Sequence, residues 1–199
     1  MSTGGQLRIG LYVFDDAEEL DVVGPYAVLV RWAGRSALHP QVMTFSDDGA
    51  GVRLSHGLRL VPDCSWEDVE PLHVLVHPGG PGATRLMADS DHLARVRDAR
   101  ARVPLLVSVC TGSLVLAAAG LLAGRAVAAH RDHVDLLSRA EPGALVDGEA
   151  RYVDDGDLVT TSGTSAGVDA ALHLVSRFEG EDLARDLGHE LQHDPWPPA

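Results

Sequence analysis

Cys110 is the residue whose surroundings point most directly to chemistry. It sits in VPLLVSV-Cys110-TGSLVLAAAGLL, an apolar run that reads as a buried strand and passes without a linker into a helical one. A residue in such a turn lies at the carboxyl edge of the sheet, where open α/β folds place their sites. It also faces the free N–H groups and positive end of the next helix. These favour thiolate over thiol, so the position predicts a lowered pKa. The same amides suit an oxyanion-like intermediate, with the Thr111 N–H as first donor and the exposed amides of Gly79 and Gly80 as a second source. The strand–Cys–helix junction has the geometry of a nucleophile elbow. The competing reading is a buried cysteine that fills space as a small apolar group. Cys64, in PDCSWED, fits that second reading or a surface position.

Two other motifs can be set aside. His189-Glu190-Leu191-Gln192-His193 matches HExxH, which on a helix puts both histidines on one face with the glutamate as base. Asp194-Pro195 breaks that helix at once, and Asp194, the only later candidate ligand, is too close to serve. No metal site is expected. Gly163-Thr164-Ser165-Ala166-Gly167 matches G-x-S-x-G. A hydrolase of that type carries its acid and histidine on later strands, and too little sequence follows Ser165 to build them. The segment reads instead as a glycine-rich helix start beside the Cys110 pocket, capped by Thr164 or Ser165.

The elements that must position these residues alternate between β-branched runs and longer helical patterns. That order predicts a mostly parallel sheet covered on both faces. Leu7–Phe14 reads as the first strand. A helix follows from about Glu18, with acids in its first turn and Pro25 placed to kink or interrupt it. His39–Phe45 is the second strand, and Val52–Val61 a hairpin or short antiparallel arm. His73–Val76 is a short buried strand running into the tight loop His77-Pro78-Gly79-Gly80-Pro81-Gly82. Helical pattern resumes to Val103, and Pro104–Val109 is the strand ending at Cys110. Then come a helix over Thr111–Leu122 stopped by Gly124, a strand at Ala126–Ala129 and a helix at Val134–Arg139. A hairpin of Arg151–Val153 with Leu158–Thr161 precedes helices over Ser165–Phe178 and Glu181–Leu191. The tail HDPWPPA cannot stay helical. With no repeat, linker or boundary, residues 1–199 read as one domain.

Composition narrows the function. The formal charge of −13 repels polyanions. The densest basic stretch, Arg95 to Arg102, is interrupted by Asp98 and reads as the outer face of a helix, so no nucleic-acid partner is expected. The sequence contains no lysine, which excludes a Walker A loop and Schiff-base catalysis. MSTGGQLRIG lacks the features of a signal peptide, no apolar run spans a bilayer, and two cysteines are too few for a disulfide framework. A cytoplasmic protein with no membrane partner is expected.

Four segments in order resemble the ThiJ/PfpI superfamily: Glu18-Glu19-Leu20-Asp21-Val22-Val23-Gly24-Pro25, His77-Pro78-Gly79-Gly80, Ser108-Val109-Cys110-Thr111-Gly112-Ser113 and Ala128-Ala129-His130. The resemblance implies a flavodoxin-like three-layer α/β sandwich of the glutamine-amidotransferase type. Within it the chain looks most like the isonitrile hydratase branch, whose elbow reads S-V-C-T-G-S-L. It further implies Cys110 as nucleophile, Asp21 as the acid that contacts it, and the Gly80 and Thr111 amides as anion-binding donors. The residues alone leave Asp21 one acid among several, after Asp15, Asp16, Glu18 and Glu19. Its apolar flanks, Leu20, Val22 and Val23, predict a desolvated carboxyl of raised pKa, suited to donating a proton. The alternative is an ordinary acid at a helix N-terminus.

Protease-like members place histidine after the cysteine, so Thr111 argues against peptidase activity. His130 matches a histidine near the cysteine in other members; it either pairs with the thiolate or is a satisfied histidine at a strand end. Two residues depart from the pattern, Arg131 where the branch has an aromatic and His77 where an aliphatic is usual. Both are expected to line the substrate pocket, with Thr164 beside them. The implied activity is hydration of an isonitrile to an N-substituted formamide through a Cys110 thioimidate, with no metal or organic cofactor, in a homodimer. The alternatives are a glyoxalase- or deglycase-like cysteine enzyme acting on reactive carbonyls, and a non-enzymatic sensor that uses Cys110 oxidation.

Overall fold

Strands apolar on both faces can only sit between two layers of helix. The computed structural model describes residues 6–193 and builds that arrangement; the Pro-rich tail and Asp194 lie outside the described residues. In chain order the elements are β1 (Arg8–Tyr12), α1 (Glu19–Arg35), β2 (Gln41–Ser46), β3 (Val52–Arg53), β4 (Arg59–Leu60), β5 (Cys64–Ser65) and β6 (Val74–His77). Next come α2 (Ala83–Leu86), α3 (Ser90–Arg102), β7 (Leu105–Ser108), α4 (Gly112–Ala118), β8 (Ala126–Ala128) and α5 (Val134–Ala140). The last are β9 (Leu145–Asp147), β10 (Tyr152–Asp154), β11 (Leu158–Thr161), α6 (Ala166–Glu179) and α7 (Glu181–Glu190). Seven strands form the central sheet in the order β10-β11-β7-β6-β1-β2-β5. All its pairings are parallel except that of β10 with β11.

Side chains alternate across each strand, and the two faces bury separate cores. Leu11, Val76 and Val107 point to one side, against Trp32 of α1, Val175 of α6 and Leu187 of α7. Tyr12, Leu75 and Leu106 point to the other, against Val96 of α3, Leu116 of α4 and Leu137 of α5. Among the described residues no helix is long and apolar enough to cross a membrane.

Several boundaries differ from the sequence reading. Pro25 does not interrupt α1, which runs 17 residues through it; Pro25 lies in the second turn, where its missing N–H frees only the Asp21 carbonyl. Helix α4 stops at Ala118 rather than near Gly124, because Gly120 adopts φ +74° and Leu121 N–H donates back to the Leu116 carbonyl, a left-handed helix end. The two-residue β5 and the three-residue β9, which pairs with β8, were not foreseen. Neither Thr164 nor Ser165 caps α6; the Ser165 hydroxyl instead accepts from Arg151 at 3.1 Å. The two HExxH histidines do not share a helical face. Helix α7 ends at Glu190, Gln192 turns to φ +50°, and His193 bonds the buried Asp169 at 2.7 Å.

Candidate active site

The three residues Val109–Thr111 carry the chain from β7 into α4. Val109 N–H donates to the His77 carbonyl at 3.0 Å, and Gly112 N–H closes the turn onto the Val109 carbonyl at 2.9 Å. Between them Cys110 is forced to φ +53°, the left-handed region that a side chain rarely adopts. Such a conformation persists only where its surroundings over-determine it. Here Thr161 Oγ1 of β11 accepts from Cys110 N–H at 3.3 Å, and the Ser113 hydroxyl donates to the Cys110 carbonyl at 3.0 Å.

The loop after β6 wedges between this turn and the start of α1. Glu18 N–H donates to the Gly79 carbonyl at 3.0 Å. A Cβ on Gly79 would stand 2.5 Å from Thr111 N, and Gly80 holds φ +117° with Asp16 O 2.7 Å from where its Cβ would be. Gly79→Ala is therefore expected to lower stability by about 2–3 kcal/mol, an overpacking cost against immovable backbone. Gly34→Ala, in α1 with open space around it, should gain about 0.5–1 kcal/mol. Urea unfolding of the two variants, with wild type alongside, checks both signs.

Asp21, in the first turn of α1, is fully buried. Its Oδ2 accepts from Gly79 N–H at 3.0 Å, while its Oδ1 is buried without a partner. Gly80 N–H donates to Thr111 Oγ1 at 2.8 Å. The two loop amides expected to serve an oxyanion thus already hold acceptors, one the carboxyl and the other the threonine hydroxyl. Nothing in the residue order signals this, because it shows amides but not their partners.

Burial pushes the Asp21 carboxyl up to about 7, with the charge of Glu18 adding to it and the Gly79 amide opposing. The raised carboxyl agrees with the apolar flanks. Cys110 runs against expectation. Burial pushes its thiol up to about 12, the Asp21 charge raises it further, and the amide and hydroxyl of Thr111 only partly offset them. Helix α4, seven residues long, does not outweigh desolvation beside a carboxylate. The two groups behave as one acid–thiol pair that gives up a first proton near 7 and a second near 12. Above about 7 the pair therefore holds one proton, resting mainly on the sulfur.

The remaining candidates divide. His77 does not line a pocket: it is fully buried, bonded to the Pro78 carbonyl at 2.8 Å and to His92 Nε2 at 3.1 Å. It is the fourth residue of β6, and its face of the sheet packs against the Tyr12 and Phe14 rings. His130 caps the 3-10 turn at 131–133, its Nδ1 accepting from Asp132 N–H at 3.2 Å. Its Cδ2 lies 3.6 Å from where a Cβ on Gly163 would stand, so the histidine and the start of α6 are neighbours. Arg131 is exposed and Thr164 half-buried. Ser165 is exposed.

Comparisons with known proteins identify the family and the fold. The sequence profile of the DJ-1/PfpI family matches residues 7–177. An isonitrile hydratase of Pseudomonas putida is 39% identical over 192 residues, 96% of this chain and 81% of the relative. A glutathione-independent glyoxalase, DJR-1.2 of Caenorhabditis elegans, is 28% identical over 181 residues, 87% of this chain and 89% of the relative. The crystal structure of a ThiJ/PfpI family protein from Pseudomonas syringae superposes with a TM-score of 0.85 at 31% identity, covering 98% of this chain and 78% of that one. The three-layer sandwich, the cysteine turn and the matched profile together place the chain in the DJ-1/PfpI family.

Proposed function

We propose that the protein hydrates isonitriles to N-substituted formamides, with Cys110 as nucleophile and Asp21 as proton carrier. The observation that carries the proposal is the buried Asp21 carboxyl, tethered to Gly79 through Oδ2, free at Oδ1, and charge-coupled to the thiol at the turn. An isonitrile carbon accepts a soft nucleophile and a proton at the same atom. The singly protonated pair supplies both when its proton sits on oxygen. The sulfur forms the C–S bond while Asp21 gives its proton to that carbon, leaving R–N=CH–S–Cys110. Water then adds to the thioimidate carbon, and its proton passes through the Asp21 carboxylate to the nitrogen, giving R–NH–CH(OH)–S–Cys110. Collapse expels the sulfur, returns a proton to the pair and releases R–NH–CHO.

Purified protein is incubated with cyclohexyl isonitrile, and in parallel with methylglyoxal, and products are followed by NMR. Formamide above the buffer rate supports the proposal. Consumption of methylglyoxal alone would move the carbonyl chemistry of the nematode relative ahead. The pH profile carries a definite sign. Because the reacting state has lost one proton near 7, kcat/KM should fall about tenfold per unit as pH drops below about 6. A rate that instead falls as pH rises through 7 would mean that the neutral acid and neutral thiol react, contrary to this mechanism.

A further inference from the structure

Two histidines lie behind the active-site loop, outside the proposed chemistry, and both are completely buried. His77 ends β6, and His92 occupies the inner face of α3 with Val96 and Ala99. Their Nε2 atoms are 3.1 Å apart, and His77 Nδ1 is 2.8 Å from the Pro78 carbonyl oxygen. A carbonyl only accepts, so His77 must carry its proton on Nδ1. A neutral His77 then has a bare Nε2, which accepts from a proton on His92 Nε2. That leaves His92 Nδ1 bare, and this atom is indeed a buried nitrogen with no partner.

The Pro78 carbonyl and the Gly79 N–H belong to one peptide group, and that N–H donates to Asp21 Oδ2 at 3.0 Å. Three hydrogen bonds therefore run in one direction: His92 to His77, His77 to the Pro78 oxygen, and the Gly79 amide to the carboxyl. Donation to a peptide oxygen polarises the same peptide's N–H, so bonds in series strengthen one another. The His77 donation also fixes the peptide plane that aims the amide at Asp21.

We propose that His77 is a positioning residue for Asp21, acting through the Pro78–Gly79 peptide to hold Oδ2 and stabilise the carboxylate. The inference rests on the reading of Asp21 as proton carrier. Burial lowers the pKa of His77 to about 3 and of His92 to about 4, which keeps both rings neutral and their protons fixed above that range. The other groups facing the pair are Asp47 for His77, with Asp89 and Arg95 for His92; Tyr12, stacked on His92 and tilted against His77, is held neutral by burial. Glu18 and Cys110 are the charged or titratable groups acting on Asp21 itself.

The test reads the carboxyl directly. The Asp21 side-chain carbon is titrated by 13C NMR, assigned with Asp21→Asn, in wild type, His77→Leu and His77→Asn. Leucine removes the donor, and the Asp21 midpoint should rise by about half a pH unit or more. Asparagine places an N–H where Nδ1 stood and should return the midpoint toward wild type. An unchanged midpoint in His77→Leu, or an equal rise in both variants, overturns the proposal. Should the leucine variant not fold, 15N shifts of the wild-type ring decide: a proton on Nδ1 supports the relay, and one on Nε2 overturns it. No isonitrile enters these measurements, so the relay and the hydratase reading can fail separately.

Discussion

Asp21→Asn is expected to leave stability almost unchanged at pH 4 and to raise it by about 4 kcal/mol at pH 8. The folded carboxyl titrates near 7, against 3.8 for a free aspartate. Between those values the native protein holds a proton that the unfolded chain has released. Wild-type stability therefore falls as pH rises through this window, at about 1.4 kcal/mol per unit. Asparagine carries no charge at any pH and still offers an oxygen to the Gly79 amide, so its stability lacks that slope. Cys110 titrates too high to contribute below pH 8. The other shifted groups remain in both proteins and largely cancel in the difference. Urea midpoints at unit steps from pH 4 to pH 8 give the two curves. Parallel curves would mean that Asp21 is hydrated and ordinary, and the proton-carrier role would go with it.

The turn at Cys110 was legible because a β-branched run met a helical run with no residues to spare between them. Asp21 was legible in part: its apolar flanks forecast burial, but the choice among the neighbouring acids came from resemblance. The thiol was misjudged because a helix start is visible in sequence, whereas the depth of burial that raises the thiol most, with the Asp21 charge adding to it, is not. His77 was misplaced for a related reason. It follows a buried strand and so reads as a loop residue, yet strand alternation continues through it and turns its ring into the core opposite α3. A signal for His92 existed and went unread. His92, Val96 and Ala99 stand at helical spacing on one stripe, which predicts that the histidine is buried with the other two. The two-residue β5 had no such signal, since its length is below any periodicity.

Cys110→Ser should lower formamide production by about three orders of magnitude or more, because a hydroxyl is barely ionised at neutral pH and a poor match for a soft carbon. Asp21→Asn keeps shape and hydrogen bonding but removes the transferred proton, and should lose about 10²–10⁴-fold. The informative variant is the double one. If sulfur and carboxyl act in the same step as one proton-sharing pair, Cys110→Ser with Asp21→Asn should be little slower than Cys110→Ser alone. If they act in separate steps, the losses multiply. Thr111→Ala keeps the backbone amide but leaves the Gly80 N–H without its acceptor, so a smaller loss is expected. Cys64→Ser, on the short edge strand β5 beside Phe45, serves as the control and should be fully active. Product is measured by NMR against the uncatalysed rate, with folding of each variant checked by circular dichroism. A folded Asp21→Asn protein at wild-type rate would leave Cys110 without a proton source, and the thioimidate mechanism would have to be abandoned.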